Sequence, residues 1–314
     1  MNKREVMFSL LDPHKQPDCI PAAFFLHFDP SYHRGQSAVE KHLEFFQYTN
    51  MDFIKIQYEH VFPPNPGLTK PADWGRIPRY GQDFFEEPLH VVKGLVKAAK
   101  AEAIIIVTLY SPFMVAGQIN GQETITRHIL EAPSKAKLGM EIVTESMLNF
   151  VRGCIQLGVD GFYTSTQGAE VFRFPNFDPF YECIKPYDLV VMNEVNQSCP
   201  FNILHVCDYH GAYDDLTPVL DYPGQIVNCS LNFPGGQRNG HEIATLFGRP
   251  FMGGIERKGV LANGTKDEIQ FEVQQALKHA PAKCILAADC TVPGDTPWEN
   301  LRTAIQTAHE FKTL

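Results

Sequence analysis

Apolar residues along this chain fall into short dense runs, separated by stretches in which they recur every three or four positions. The runs IPAAFFLHF (20–28), DFIKIQY (52–58), AIIIVTLYS (103–111), VDGFYTST (159–166), FNILHVCD (201–208), QIVNCSL (225–231), RPFMGGIE (249–256) and KCILAADC (283–290) read as strands. They are short and rich in β-branched and aromatic residues. Helical spacing falls between them, at AVEKHLEFFQYTN (38–50), LHVVKGLVKAAKAE (89–102), a region running to about 157, DPFYECIKPYDLVVMNEV (178–195) and TKDEIQFEVQQALKHA (265–280). A last helix, WENLRTAIQTAHEF (298–311), closes the chain, with Thr296 expected as its N-cap and Pro297 at its first position. The stretch 59–82 is too dense in Pro and Gly for a regular element and reads as a long loop, a length usually tied to function.

Eight strands alternating with helices predict an α/β fold, a (β/α)8 TIM barrel, as a single domain over 1–314. Runs such as AIIIV are apolar throughout, as parallel strands covered on both faces must be. A doubly wound open sheet is the alternative, but no dinucleotide-type glycine loop follows any strand.

Composition narrows the class of partner. The chain has 314 residues, 44% apolar and 20% charged, which suits a large core and not disorder. Its net charge is −9 and no basic run occurs, so nucleic acid and anionic membrane are poor partners. No stretch approaches the roughly 20 apolar residues of a membrane span. The N-terminal MNKREVMFSLLDPHKQPD is broken by Asp12 and Pro13 and does not read as a signal peptide. A cytoplasmic protein with mostly reduced cysteines is expected, and Cys154, Cys183 and Cys284 read as core thiols.

In such a barrel, chemistry sits at the C-terminal strand ends. Residues i and i+2 of a strand share a face, so His205 and Cys207 of HVCDYH point the same way. Cys290 ends the last strand, and a closed barrel brings its mouth to the same point. One imidazole and two thiols suit Zn2+, and three protein ligands leave a fourth position open. Spacing alone leaves a second reading, a buried pair of strand residues. Cys229 could add a fourth ligand, although a plain core thiol suits it better. Glu59, Tyr163, Asp208 and Glu256 fall at or near strand ends and are the candidate catalytic residues, Asp208 as a group orienting His205 or substrate. Asp289 should point away from Cys290 by strand alternation. Aromatic residues crowd the early loops, among them Phe62, Trp74, Phe85 and Tyr110, and read either as a cap on the core or as a lid over a flat ligand.

The segments ILHVCD, PFMGGIERKGVLANGTKDEI and CTVPGDTPWENL together resemble the uroporphyrinogen decarboxylase superfamily in order and spacing. The resemblance is looser in KREVMFSLL, IPAAFFLHF and DFIKIQYEH. It implies a (β/α)8 barrel. The decarboxylase branch carries paired arginines after the first strand; here HFDPSYHRGQ offers Arg34 alone, and the last strand ends in DCTVP where that branch has Gly–His. The other branch holds zinc-dependent methyltransferases that work with corrinoid proteins, with which cobalamin-independent methionine synthase is more distantly similar. His205, Cys207 and Cys290 match its ligand positions. The resemblance therefore implies a zinc-dependent methyltransferase with Zn2+ as cofactor, a small-molecule methyl donor or thiol acceptor, and a corrinoid carried by a separate protein. The rival expectations are a metal-free lyase using Glu59, Tyr163 and Arg34, and a non-catalytic barrel with structural zinc.

Overall fold

The computed structural model describes residues 2–312; the ends of the span 1–314, Met1, Thr313 and Leu314, lie outside the described residues. Seven of the expected strands form: β1 Phe53–Ile56, β2 Ile104–Tyr110, β3 Gly161–Thr166, β4 Ile203–Val206, β5 Ile226–Cys229, β8 Phe251–Ile255 and β9 Cys284–Ala288. Between β5 and β8 lies a small antiparallel hairpin, β6 Asn232–Phe233 and β7 Gly236–Gln237. The seven are parallel and ordered β1-β2-β3-β4-β5-β8-β9, a curled sheet with helices outside, the (β/α)8 TIM-barrel fold.

The first expected strand, 20–28, is the exception. It forms only two isolated parallel bridges to the last strand and the segment after it, Ala22 with Leu286 and Leu26 with Val292. On its other edge the Asp52 amide donates to the Ala22 carbonyl at 3.1 Å. The segment therefore stands between β9 and β1, where the eighth stave belongs. Side chains take over part of the ladder there: the Asp52 carboxylate accepts from the Ala22 amide at 2.7 Å, and Gln57 Nε2 donates to the Leu26 carbonyl at 2.8 Å. Each satisfies a backbone group that a regular strand pair would have paired.

The helical region after β2 divides into three helices, Pro112–Asn120, Gln122–Glu131 and Pro133–Leu157. The expected loop 59–82 holds a short 3-10 helix at Pro71–Arg76, and a second, Gln82–Phe85, begins at its last residue. The closing helix runs Trp298–Glu310, with Pro297 and not Thr296 at the N-cap. Pro297 is extended (φ −60, ψ 126), so helical geometry starts one residue later than expected, and the buried Thr296 hydroxyl caps nothing. Among the described residues no helix is long and apolar enough to cross a membrane.

The two ends of the barrel differ. A short helix, Lys3–Ser9, covers the N-terminal end. Its Arg4 holds the buried Asp160, just before β3, through two bonds of 2.7 and 2.6 Å, and its Phe8 ring meets Phe201 edge-on at 6.0 Å. At Gly161 a Cβ would stand 1.6 Å from the Phe201 carbonyl oxygen, so only glycine lets β3 start this close to β4. The C-terminal end opens into a cavity.

Candidate metal centre

β4 pairs with β3 and β5 in a register that sets His205 beside Ser165 and Asn228. The ladder extends one residue past the strand, where the Cys207 amide donates to the Thr166 carbonyl at 3.0 Å. That extension keeps Cys207 on the face of His205. Cys290 lies two residues beyond β9. One ligand atom from each of His205, Cys207 and Cys290 lies within 4.8 Å of the others, and all three residues line the large cavity, whose volume is about 890 Å³. No further His, Cys, Asp or Glu joins the cluster among the described residues.

The surroundings fit a metal ion. His205 is buried, yet neither ring nitrogen has a hydrogen-bond partner among the described residues. An orphaned buried polar atom costs about 1–3 kcal/mol, and a bound cation would remove that cost at one nitrogen. The contact between the two thiols pushes Cys207 well above an ordinary thiol and holds Cys290 well below one, burial adding to the first and opposing the second. Zn2+ would displace the remaining proton and take two thiolates and one imidazole, a donor set it favours.

The neighbours of this cluster hold it in shape. The Tyr163 ring stacks on His205, 4.9 Å between centroids and 27° off parallel. Its hydroxyl donates to Asn228 Oδ1 at 2.5 Å, and Asn228 Nδ2 donates to the Met252 and Ala288 carbonyls. Gln167 Nε2 donates to the Cys207 sulfur at 3.4 Å, and Gln167 is bonded in turn by Gln122, whose carbonyl accepts from Arg173.

The other expected site residues are scattered. Tyr163 lines the cavity with its ring. The Asp208 carboxylate accepts from Arg257 Nη1 at 2.9 Å and makes no bond to His205. Glu59 lines a narrow neighbouring cleft and reaches the main cavity only through His27, whose Nδ1 lies 2.7 Å from its carboxylate. Glu256 is exposed and lines no part of the cavity; the next residue, Arg257, does. Asp289 points away from the cluster, toward Arg257. Cys229 is a buried core thiol outside the cluster, pushed up to about 12 by burial. Arg34 is exposed beside Glu87 and lines only the narrow cleft. Of the early aromatic residues, Tyr110 lines the cavity, while Phe62, Trp74 and Phe85 are buried in the core. These three line no part of the cavity.

Two contributors carry no motif in the sequence. Lys55 is 4% exposed in the middle of β1 and lines the cavity. It donates to Gln57 Oε1 at 2.5 Å and Thr108 Oγ1 at 3.0 Å, both uncharged, and burial lowers its pKa to about 7. A lysine inside the apolar run FIKI was the available signal. Arg257 had none, because ERKG reads as an ordinary polar turn.

Comparison with known proteins agrees with this architecture. The family model described as uroporphyrinogen decarboxylase (URO-D) matches residues 54–311. A methylated-thiol–coenzyme M methyltransferase of Methanosarcina mazei is 24% identical over 260 residues, 79% of this chain and 66% of that protein. The chain thus spans just under two thirds of that relative's length. The solved structure of a methyltransferase from Methanosarcina mazei superposes with a TM-score of 0.75 at 14% identity, covering 99% of each chain. A B12-independent methionine synthase from Shewanella sp. W3-18-1 gives 0.57 at 13% identity, covering 93% of this chain and 97% of that one. At these identities the structures establish the shared fold, and the family model covers most of the sequence. The chain belongs to the uroporphyrinogen decarboxylase (URO-D) family.

Proposed function

We propose that this chain is a single-barrel, zinc-dependent methyltransferase with His205, Cys207 and Cys290 as its metal ligands. The observation that carries the reading is the meeting of three soft donor atoms within 4.8 Å in the wall of a cavity of about 890 Å³. A cavity of that size can enclose a small-molecule methyl donor or a thiol acceptor. The name of the Methanosarcina mazei relative, a methylated-thiol–coenzyme M methyltransferase, supports methyl transfer as the class of reaction.

Bound Zn2+ would supply a Lewis acid that keeps a substrate thiol in its thiolate form near neutral pH, or polarises the heteroatom of a methyl donor. The protein's own groups do the rest. The Tyr163 ring fixes the plane of the His205 imidazole. Gln167 donates to the Cys207 sulfur and so occupies one of its lone pairs. Three protein ligands would leave a fourth position for substrate. The mouth is open to a methyl carrier, which in this proposal is a corrinoid held by a separate protein.

The test is direct. Zinc-loaded protein is given methylated thiols and a reduced corrinoid, and methyl–cobalt formation is followed by absorbance. Transfer that Cys290→Ala abolishes is expected. No transfer from any methylated thiol or ether by fully zinc-loaded protein would count against the activity.

A further inference from the structure

Each cysteine of the cluster has an aspartate as its chain neighbour, Asp208 after Cys207 and Asp289 before Cys290. Both aspartates end on one arginine. Arg257 Nη1 donates to Asp208 Oδ1 at 2.9 Å and to Asp289 Oδ2 at 2.7 Å, and the Arg257 amide donates to Asp289 Oδ1 at 2.8 Å. The three side chains are 12%, 17% and 10% exposed, in the order Arg257, Asp208, Asp289. Solvent screening of these contacts is therefore slight.

The strands involved are not neighbours. β5 and β8 lie between β4 and β9, so no backbone ladder fixes the end of one against the end of the other. Arg257, just beyond β8, spans that gap. We infer that Arg257 is a positioning residue for the metal centre: it staples the two cysteine-bearing strand ends and sets the spacing of the two sulfurs before the metal arrives. The inference rests on the zinc reading above.

Charge and position pull in opposite directions here, which makes the role testable. A guanidinium near Zn2+ repels it, so a purely through-space role predicts tighter zinc binding when the cation is removed. A positioning role predicts weaker binding, because the sulfurs are no longer held at the spacing of the site. Loss of a group that orients metal ligands typically costs roughly 10–100-fold in metal affinity.

The experiment measures zinc affinity by competition with a chromophoric chelator, with thermal melting of the metal-free protein as the control for folding. Arg257→Met should bind zinc about 10–100-fold more weakly. Arg257→Lys should recover most of that loss, since one ammonium can bridge both carboxylates. Should Arg257→Met fail to fold, the double variant Arg257→Met/Asp208→Asn keeps the local charge balance and should still weaken zinc. Unchanged or tighter binding in a folded variant overturns the inference while leaving the zinc reading intact. Wild-type protein that binds no zinc overturns both.

Discussion

The Tyr163 ring lies against the His205 imidazole, 27° off parallel, while its hydroxyl is spent on Asn228 at 2.5 Å. Asn228 is pinned by two backbone carbonyls, so the stack rests on a fixed group. The phenol thus acts through its ring. Tyr163→Phe should keep its zinc and lose about 1–3 kcal/mol of stability, the cost of leaving the buried Asn228 oxygen unpaired. Urea unfolding beside metal analysis checks both. Collapse of turnover in a folded, fully loaded Tyr163→Phe protein would instead give the hydroxyl a chemical part.

Lys55 ties stability to pH. Its pKa is lowered to about 7 by burial, from 10.5. Between those values the unfolded chain holds the proton and the folded chain does not, so stability rises with pH across that window. Below about 7 both states hold it, and the cost of the buried charge is present in full. Lys55→Met should be the more stable protein at pH 7 and should lose this rise. The difference in slope approaches about 1.4 kcal/mol per pH unit. Urea midpoints at pH 7 and pH 9 measure it, and parallel slopes would show that Lys55 keeps an ordinary pKa.

The decarboxylase branch carries paired arginines after the first strand; here Arg34 stands alone, and it lies outside the large cavity. Uroporphyrinogen incubated with this protein should therefore give no coproporphyrinogen, and Arg34→Ala should leave methyl transfer unchanged. Product formation at ordinary enzyme rates would reverse the assignment between the two branches.

A thiol that takes the open coordination position must lose its proton near neutral pH. Calorimetric titration in buffers of different ionisation enthalpy should count close to one proton released per thiol bound. Binding without release would place the thiol elsewhere in the cavity.

The sequence made the barrel legible because parallel strands buried on both faces leave unmistakable apolar runs, and seven of them stand where the runs fall. The apolar run 20–28 predicts a full strand, yet Asp52 and Gln57 take over part of its pairing, which no local pattern reveals. At the site, two-residue periodicity placed His205 and Cys207 on one face, and barrel closure brought Cys290 to them. Glu256 ends a strand run and so stands as a catalytic candidate, but it is Arg257, one residue on, that lines the cavity. Arg257 and the Lys55–Thr108 contact leave no local trace because these partners are distant in sequence. Asp208 lies 49 residues from Arg257 and Thr108 lies 53 from Lys55.

The central claim is the zinc site, and metal analysis joined to zinc-edge absorption spectroscopy tests it most directly. Wild-type protein should hold about one zinc per chain, with two zinc–sulfur contacts near 2.3 Å and one nitrogen near 2.0–2.1 Å. Cys207→Ala and Cys290→Ala should lose the metal, and His205→Ala should bind it more weakly. Wild-type metal content in all three variants, or a zinc shell without two sulfurs, would contradict the account.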